Sequence, residues 1–342
     1  MKIKNIILVI SFVAVFIIGI FLGPLIIKPS QGYKHLNYTH DWVIEGPTAP
    51  MVLARDKGFF EEQGVTVTID RGYGAADSIK KVAAGVYDVG YASFDALVKF
   101  LATQPGQVIG VYMTMNVAPY NVFVIKGRGI DNPKDLEGRK VAYGAGEATY
   151  EMFPVFCERY GVDKDKINWI PVEFAARGSM LKAGELDAIL QYTWTGYNTL
   201  TGVGVPEEDI EHWLYDTELL FGNVVIVNKN YMDKNPDAVN AFLRAYNKAI
   251  KYVNEHRDEA IETLYKYYPI INKDIERRSL NIFLDTHVFT PYSSEHGLGY
   301  ADSNRINAVC TKLSEILGIT KVSSEVVFTD QFLPPFDERK TT

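Results

Sequence analysis

Residues 35–70, with the sequence HLNYTHDWVIEGPTAPMVLARDKGFFEEQGVTVTID, predict a strand, a helix and a second strand in succession. His35–Val43 alternates in polarity and is rich in Tyr, Leu and Trp, as strands are. Pro50–Gln63 has apolar residues at helical spacing and is followed by Gly64, a common helix stop. Val65–Asp70 is β-branched and predicts the second strand. This succession indicates a parallel sheet with helices packed on it.

The same alternation continues to about residue 126 and then restarts. No low-complexity linker separates the two series, so we expect two α/β lobes joined by strands that cross near Ile125 and near Asn223. The predicted fold class is α/β, with two lobes and two strand crossovers as the hinge. The predicted organisation is a signal or anchor segment at 1–32, a first lobe from 33–125 plus 224–342, and a second lobe at 126–223.

The N-terminal segment predicts export. Lys2 and Lys4 precede Ile6–Ile27, a run of 22 residues without a charge. A basic start followed by an apolar run is typical of an export signal, and this run is also long enough to span a bilayer. We therefore expect either a cleaved signal or an uncleaved anchor, and a periplasmic or extracytoplasmic location for the rest of the chain.

Composition excludes several functional classes. The chain has 342 residues and a formal net charge of −7, which disfavours nucleic-acid binding because that needs a basic surface. Its 2 cysteines exclude a disulfide scaffold and a multi-cysteine zinc site. The 6 histidines form no H-E-x-x-H motif. We expect no metal and no cofactor.

Five segments together carry a family resemblance: Asp41-Trp42, Ala54–Phe60, Gly64–Val67, Gly85–Ala92 and Pro133–Val141. In this order and spacing, the set resembles the extracytoplasmic solute-binding proteins of bacterial ABC importers. The branch is the one that includes nitrate, sulfonate, taurine and thiamine-pyrimidine-precursor binders. The resemblance implies a type II-like fold of two lobes that close on a small-molecule ligand, a membrane permease as partner, and a monomer.

The candidate ligand-binding residues follow from the expected sheet geometry. Ligands of doubly wound sheets bind beyond the carboxyl ends of the strands, where loops lead into helices. The resemblance places ligand contacts in the same loops, with an aromatic residue after the first strand, where Trp42 is expected to be the main stacking platform. Core packing is the alternative for each aromatic residue. The predicted set is Trp42, Glu45, Thr48, Tyr73, Ser93, Asn116, Tyr120, Gly144, Glu147, Tyr192, Trp194, Phe221 and Asn223.

These loops carry few basic residues, which bears on the ligand class. Arg71 and Arg177 are the basic residues near them, whereas the loops hold aromatic, hydroxyl, amide and acidic side chains. That composition favours a flat, polar, neutral or weakly cationic heterocycle, for which a pyrimidine-like thiamine precursor is the first choice. A sulfonate, nitrate or an aromatic carboxylate is the alternative. Glu147 is interpreted either as a helix-dipole acid or as an acceptor for an amine.

An enzyme and an anchored sensor or adhesin are the alternatives of other classes. A eukaryotic branch of the same fold synthesises the thiamine pyrimidine and carries a cysteine-rich motif and an iron-binding histidine. Cys157 stands alone in its predicted helix, without such a cluster. We therefore expect a protein that binds its ligand without transforming it.

Overall fold

The computed structural model describes residues 32–144, 147–216 and 218–341. The predicted signal or anchor segment, apart from Gly32, lies outside these residues. No helix in the described part of the chain has the length and apolar character needed to cross a membrane. The strands are β1 (Lys34–Thr39), β2 (Val65–Asp70), β3 (Val89–Ser93), β4 (Val108–Met113), β5 (Tyr120–Ile125), β6 (Lys140–Tyr143), β7 (Asn168–Pro171), β8 (Ala188–Tyr192), β9 (Ile210–Leu214) and β10 (Asn223–Asn228).

The strands form two mixed sheets of five. The first sheet has the order β2-β1-β3-β10-β4 and the second has the order β7-β6-β8-β5-β9. Strand β1 is parallel to β2 and β3, and β6 is parallel to β7 and β8. The predicted α/β fold class with two lobes is confirmed.

One antiparallel strand in each sheet arrives from the other lobe. Strand β5 enters the second sheet after the chain leaves the first, and pairs antiparallel with β8 and β9. Strand β10 returns to the first sheet and pairs antiparallel with β3 and β4. The chain therefore crosses between the sheets twice, in the segments 114–119 and 215–222.

The predicted position of the first crossover was wrong. We expected the first lobe to extend to residue 125, but Tyr120–Ile125 lies in the second sheet, where Tyr120 pairs with Tyr192. The fully apolar pattern of this strand predicts burial and does not specify which sheet it joins. The return crossover ends at Asn223, as expected.

The helices cover both sheets. The α-helices are Ala49–Asp56, Phe59–Glu62, Ala75–Ala83, Phe94–Leu101, Ala148–Glu151, Phe153–Tyr160, Arg177–Ala183, Thr193–Gly202, Lys229–Lys234, Pro236–Glu255, Arg257–Tyr267, Lys273–Ile282, Pro291–His296, Ser303–Leu317, Ser324–Val327 and Phe336–Arg339. Short 3-10 helices are Gly46–Thr48, Pro133–Leu136, Lys164–Lys166, Phe174–Ala176 and Glu207–Asp209, and Phe283–Val288 is a π-helix.

The first strand is shorter than predicted, and this shapes the loop that follows it. Strand β1 ends at Thr39, so Asp41 and Trp42 lie in the loop. The backbone N–H of Gly72 donates to the Trp42 carbonyl (2.8 Å), and that of Gly74 donates to the Asp41 carbonyl (2.7 Å). A Cβ at Gly72 would lie 2.1 Å from the His40 carbonyl oxygen, so only glycine permits this close approach.

The helix Lys273–Ile282 contacts elements that lead from both sheets. Its Glu276 carboxylate accepts a hydrogen bond from the Gly46 N–H (2.5 Å), in the loop after β1. Its Ser279 hydroxyl accepts one from the Asn198 amide (2.8 Å), in the helix after β8. The C-terminal region therefore holds the first loop and the helix Thr193–Gly202 side by side.

Candidate ligand-binding site

The loops beyond the parallel strands place two predicted aromatic residues in solvent. Trp42 is 48% exposed and Tyr73 is 67% exposed. Both side chains lie in loops that follow strands, where ligands of such sheets bind, and their exposed faces are available to a ligand. Arg71 lies over the Tyr73 ring, with its guanidinium carbon 4.6 Å from the ring centroid.

Asp41 and Asn223 form a buried polar pair at the ends of β1 and β10. The Asn223 Nδ2 donates to Asp41 Oδ2 over 2.6 Å, and both residues are buried. Burial raises the pKa of the Asp41 carboxyl to about 7. The Asn223 Oδ1 has no hydrogen-bond partner among the described residues. The pair therefore offers a free acceptor beside a carboxyl group.

Glu45 lies in the same loop and contacts the second lobe. Its Oε1 accepts a hydrogen bond from the Trp194 indole Nε1 over 3.0 Å. Burial raises the pKa of the Glu45 carboxyl to about 8, and the nearby Glu276 and Asp41 carboxyls contribute to that rise. Trp194 is only 2% exposed, so it joins the lobes rather than offering an open stacking face. Thr48, which follows in this loop, is also buried.

A third carboxyl group, Asp95, accepts a hydrogen bond from a tyrosine of the second sheet, and a second tyrosine packs against the first. The Tyr120 hydroxyl donates to Asp95 Oδ1, and the Tyr120 and Tyr192 ring centroids are 5.4 Å apart. Burial raises the pKa of Asp95, although hydrogen bonds from Tyr120 and Ser93 act against that rise. Burial and the Asp95 carboxyl raise the pKa of Tyr192, and the Asp41 and Glu45 carboxyls contribute to that rise.

On the second lobe, an ion pair occupies the loop after β6. Arg177 is buried, and its two terminal nitrogens each donate to one Glu147 carboxylate oxygen over 2.8 Å. It also donates to the carbonyls of Val172 and Leu190. A Cβ at Gly144 would lie 2.2 Å from Glu147 Oε1, so glycine makes room for this pair. Arg177 is therefore engaged within its lobe and is not a free anion receptor.

Asn116 and Phe221 lie in the crossover segments and are occupied there. The Asn116 amide donates to the Val288 carbonyl (3.3 Å) and accepts from the Thr290 hydroxyl (2.5 Å). Phe221 is buried, and the guanidinium carbon of Arg305 lies 4.1 Å from its ring centroid. These contacts give both residues a structural role, so the proposed set of ligand-binding residues does not include them.

Five polar residues of this region were not in the predicted set: Asp41, Asp95, Gln191, Glu276 and His287. Gln191 is buried, and neither of its side-chain polar atoms has a partner among the described residues. The sequence does show one signal for this residue, because Gln191 is a polar residue near the end of the otherwise apolar strand Ala188–Tyr192. His287 is buried between the Val117 carbonyl (3.1 Å) and the Thr193 hydroxyl (2.9 Å), and burial lowers its pKa to about 4.

A cavity of about 580 Å³ lies elsewhere, between the helices Thr193–Gly202 and Lys273–Ile282. Its arginines are already paired, Arg277 with Asp258 and Asp274, and Arg278 with Glu207. Within residues 32–144, 147–216 and 218–341, no group of three or more His, Cys, Asp or Glu side chains is arranged to hold a metal ion. The polar groups at the strand ends therefore remain the candidate site.

Comparisons with known proteins agree with this architecture. The chain is 25% identical over 263 residues to the formylaminopyrimidine-binding protein of Halalkalibacterium halodurans, covering 72% of this chain and 75% of that protein. It is 22% identical over 316 residues to the 4-amino-5-hydroxymethyl-2-methylpyrimidine phosphate synthase of Aspergillus parasiticus, covering 87% of each chain. The periplasmic aliphatic sulphonate binding protein of Escherichia coli superimposes with a TM-score of 0.68 at 15% identity, covering 87% of this chain and 99% of that one.

The sequence also matches a family model. The match covers residues 47–260, more than half of the chain, and the model is described as NMT1/THI5 like. The fold, the two crossovers and this match confirm the resemblance that the sequence motifs predicted. The chain therefore belongs to the NMT1/THI5-like family and has the fold of periplasmic solute-binding proteins.

Proposed function

We propose that this chain is the solute-binding component of an ABC importer, which captures a small planar polar compound between its two lobes and delivers it to a membrane permease. The observation that carries the proposal is that polar side chains of the two lobes meet at the strand ends: Trp194 donates to Glu45 over 3.0 Å, and Tyr120 donates to Asp95. A ligand enclosed there would contact both lobes at once, and such contacts favour closure of the lobes about the hinge.

The proposed ligand is a pyrimidine related to thiamine precursors. Buried carboxyl and amide acceptors suit the amino and ring N–H groups of such a compound, and Trp42 supplies an exposed flat face. Nitrate, a sulfonate or an aromatic carboxylate fits less well, because Arg177, a basic residue near these loops, is already paired with Glu147. A relative named as a formylaminopyrimidine-binding protein supports the same ligand class.

The proposed location is extracytoplasmic, with a monomer held by an anchor or released after signal cleavage. Support comes from the basic start and apolar run at the N-terminus and from periplasmic proteins of the same fold. The proposed lobes are residues 34–113 plus 223–341 and residues 120–214, with the segments between them as the hinge.

A pyrimidine-forming enzyme is the second candidate function. Relatives named as pyrimidine phosphate synthases, at 22–24% identity, favour it. The binder is preferred because two buried histidines near the cleft, His40 and His287, have internal hydrogen-bond partners. Mass spectrometry of a ligand recovered after long incubation separates the two functions. A binder returns it unchanged, and a new product would establish the enzyme.

The deciding experiment is calorimetric titration of the full chain. The probes are 4-amino-5-hydroxymethyl-2-methylpyrimidine, an alkanesulfonate and nitrate. We expect saturable binding of the pyrimidine with one site per chain. Binding of the sulfonate or nitrate alone would replace the proposed ligand class, and binding of none of them would leave the importer role without support.

A further inference from the structure

Three carboxyl groups in the first lobe lie close together, and within the described residues no lysine or arginine forms an ion pair with them. Asp41 and Glu45 are in one loop, and Glu276 receives the N–H of Gly46, next to Glu45. The proximity of Asp41 and Glu276 contributes to the raised pKa of Glu45. Buried carboxyl groups without a cation hold protons near neutral pH, because the charged forms are poorly solvated and repel one another.

A free acceptor marks where a ligand would bind. Asn223 is 2% exposed, and its Nδ2 is used on Asp41 Oδ2 while its Oδ1 has no partner among the described residues. The Asn223 amide therefore lies against the carboxyl group with an acceptor oxygen unused. A buried acceptor without a donor is costly, and a ligand N–H group would satisfy it.

The described residues around Asp41 and Glu45 supply no competing positive charge. The ionisable groups that interact electrostatically with Asp41 or Glu45 are neutral or acidic near pH 7: His40, whose Nε2 lies 3.5 Å from Asp41 Oδ1, and Tyr38, Tyr91, Tyr192, Tyr246 and Glu276. Burial lowers the pKa of His40 to about 3, so this histidine is neutral. The cations on adjacent elements are engaged elsewhere, with Arg71 over Tyr73, Arg278 on Thr201, Arg257 on Asp285 and Arg277 on Asp258.

We propose that Asp41 and Glu45 make the cleft selective for planar ligands with a positively charged amidine-like N–C–N edge, and that binding such a ligand releases protons from these carboxyl groups. A protonated 4-aminopyrimidine has an edge of this kind. The inference rests on the proposed function, since it names the ligand class of the same cleft. The ligand cation replaces the protons as the charge partner, and the protons pass to the buffer.

The test uses three planar probes of nearly the same shape and different charge: benzamidinium, benzamide and benzoate. Each is titrated calorimetrically into the full chain at pH 7, in phosphate and in Tris. We expect benzamidinium to bind at least about tenfold more tightly than benzamide, and benzoate to bind more weakly than both. The heats in the two buffers should differ by an amount that corresponds to release of about one proton per benzamidinium bound.

Glu45→Gln is the informative variant. Glutamine keeps an oxygen acceptor for the Trp194 indole and removes the titrating group, so the fold should persist, which the melting temperature checks. We expect benzamidinium affinity to fall at least about tenfold with benzamide affinity unchanged. Asp41→Asn is the second variant, with the same expected loss of charge preference. Glu185→Gln, at an exposed position in the second lobe, is the matched control and should bind all three probes as the wild type does.

Three results would overturn the inference. They are benzamide or benzoate binding as tightly as benzamidinium, identical heats in the two buffers, and failure of all three probes to bind. The pyrimidine titration described above is independent of these results. If the pyrimidine binds and benzamidinium does not, the charge selectivity is rejected and the proposed function stands. If benzamidinium binds with proton release and the pyrimidine does not, the selectivity stands and the pyrimidine assignment is rejected.

Discussion

The indole Nε1 of Trp194 donates a hydrogen bond to Oε1 of Glu45 over 3.0 Å, and this bond joins the two lobes directly. Glu45 lies in the loop after β1 of the first sheet, and Trp194 lies in the helix after β8 of the second. The Trp194 ring also contacts Phe283 and His287 edge-on, with centroids 6.3 and 5.8 Å away. Any opening of the cleft must break this set of contacts.

Trp194→Phe should shift the unliganded protein towards a more open arrangement. The variant removes the Nε1 donor and leaves the half-buried Glu45 oxygen without its Trp194 partner, and a lost hydrogen bond of this kind costs about 0.5–1.5 kcal/mol. We expect a larger radius of gyration by small-angle scattering. Trp169→Phe is the matched control, because it also removes an indole hydrogen bond (to the Lys164 carbonyl, 3.0 Å), but within one lobe. An equal change of radius in both variants, or none in Trp194→Phe, would contradict the conclusion that the Trp194–Glu45 hydrogen bond holds the lobes together.

The stability of the unliganded protein should fall as the pH rises from 6.5 to 8. Asp41 and Glu45 have pKa values raised to about 7 and about 8, so the folded chain holds protons that the unfolded chain has lost. The histidines with lowered pKa values, His40, His212 and His287, oppose this fall only weakly, because an unfolded histidine is at most half protonated at pH 6.5 and above. The contribution of these protonated carboxyl groups to the free energy of unfolding is therefore largest below about pH 4, and it is lost progressively as the pH rises to about 8.

Melting temperatures of the full chain at pH 6.5 and pH 8 provide the measurement. Glu45→Gln should reduce the difference between the two values, because the amide does not titrate. Glu185→Gln, whose side chain is exposed, should keep the wild-type difference. A melting temperature that is constant or rises between these pH values would show that the two carboxyl groups are ionised in the folded protein.

Local sequence patterns predicted the elements better than the sheet to which they belong. The bounds expected for β2, Val65–Asp70, are those observed. Strand β5, in contrast, was expected in the first lobe, because a buried strand between two sheets has the same apolar pattern in either one. The edge strand β9 was not predicted, since Glu-His-Trp within five residues lacks a clear strand signal.

Only the part of the candidate site that lies in loops directly after strands could be predicted from the sequence. The predicted Asn223 bonds to Asp41, and the predicted Glu45 and Trp194 bond to each other, because parallel strands bring their carboxyl ends together. Asp41 itself was not in the predicted set. Glu276 could not be placed, since it reaches the Gly46 N–H from 230 residues along the chain. Whether an aromatic residue faces solvent or core is set by such distant packing, which explains why Trp42 is exposed and Trp194 is buried.

Trp42→Ala should weaken binding of the pyrimidine probe by at least about tenfold, with Trp42→Phe retaining part of the affinity. The indole is 48% exposed, so it is available to stack on a planar ligand, and stacking is worth about 0.5–1.5 kcal/mol beyond the buried area. The melting temperature of the unliganded variant should stay close to that of the wild type. Unchanged affinity together with a large loss of stability would assign Trp42 to packing. Tyr33→Ala, also at an exposed aromatic residue, is the control for non-specific effects.

Arg305→Lys should loosen both crossover segments at once. The Arg305 guanidinium donates to the carbonyls of Asn116 (2.6 Å) in the first crossover and Glu218 (2.7 Å) in the second, and lies over Phe221. A lysine ammonium lacks the planar fork that serves both carbonyls. Loss of one hydrogen bond from a charged group costs about 1.5–3 kcal/mol, so amide exchange in 114–119 and 215–222 should be at least about tenfold faster.

Amide exchange in strand β3, Val89–Ser93, is the internal control for this variant, because Arg305 makes no hydrogen bond to that strand. We expect the β3 amides to keep their wild-type protection, because the effect should be confined to the segments that Arg305 fastens. Arg159→Lys, where the arginine lies over Tyr160 in the second lobe, is the matched control and should leave both crossovers unchanged. Equal acceleration in β3 and in the crossovers would mean that the variant lowers the free energy of unfolding as a whole, and Arg305 would then be a packing residue rather than a hinge clamp.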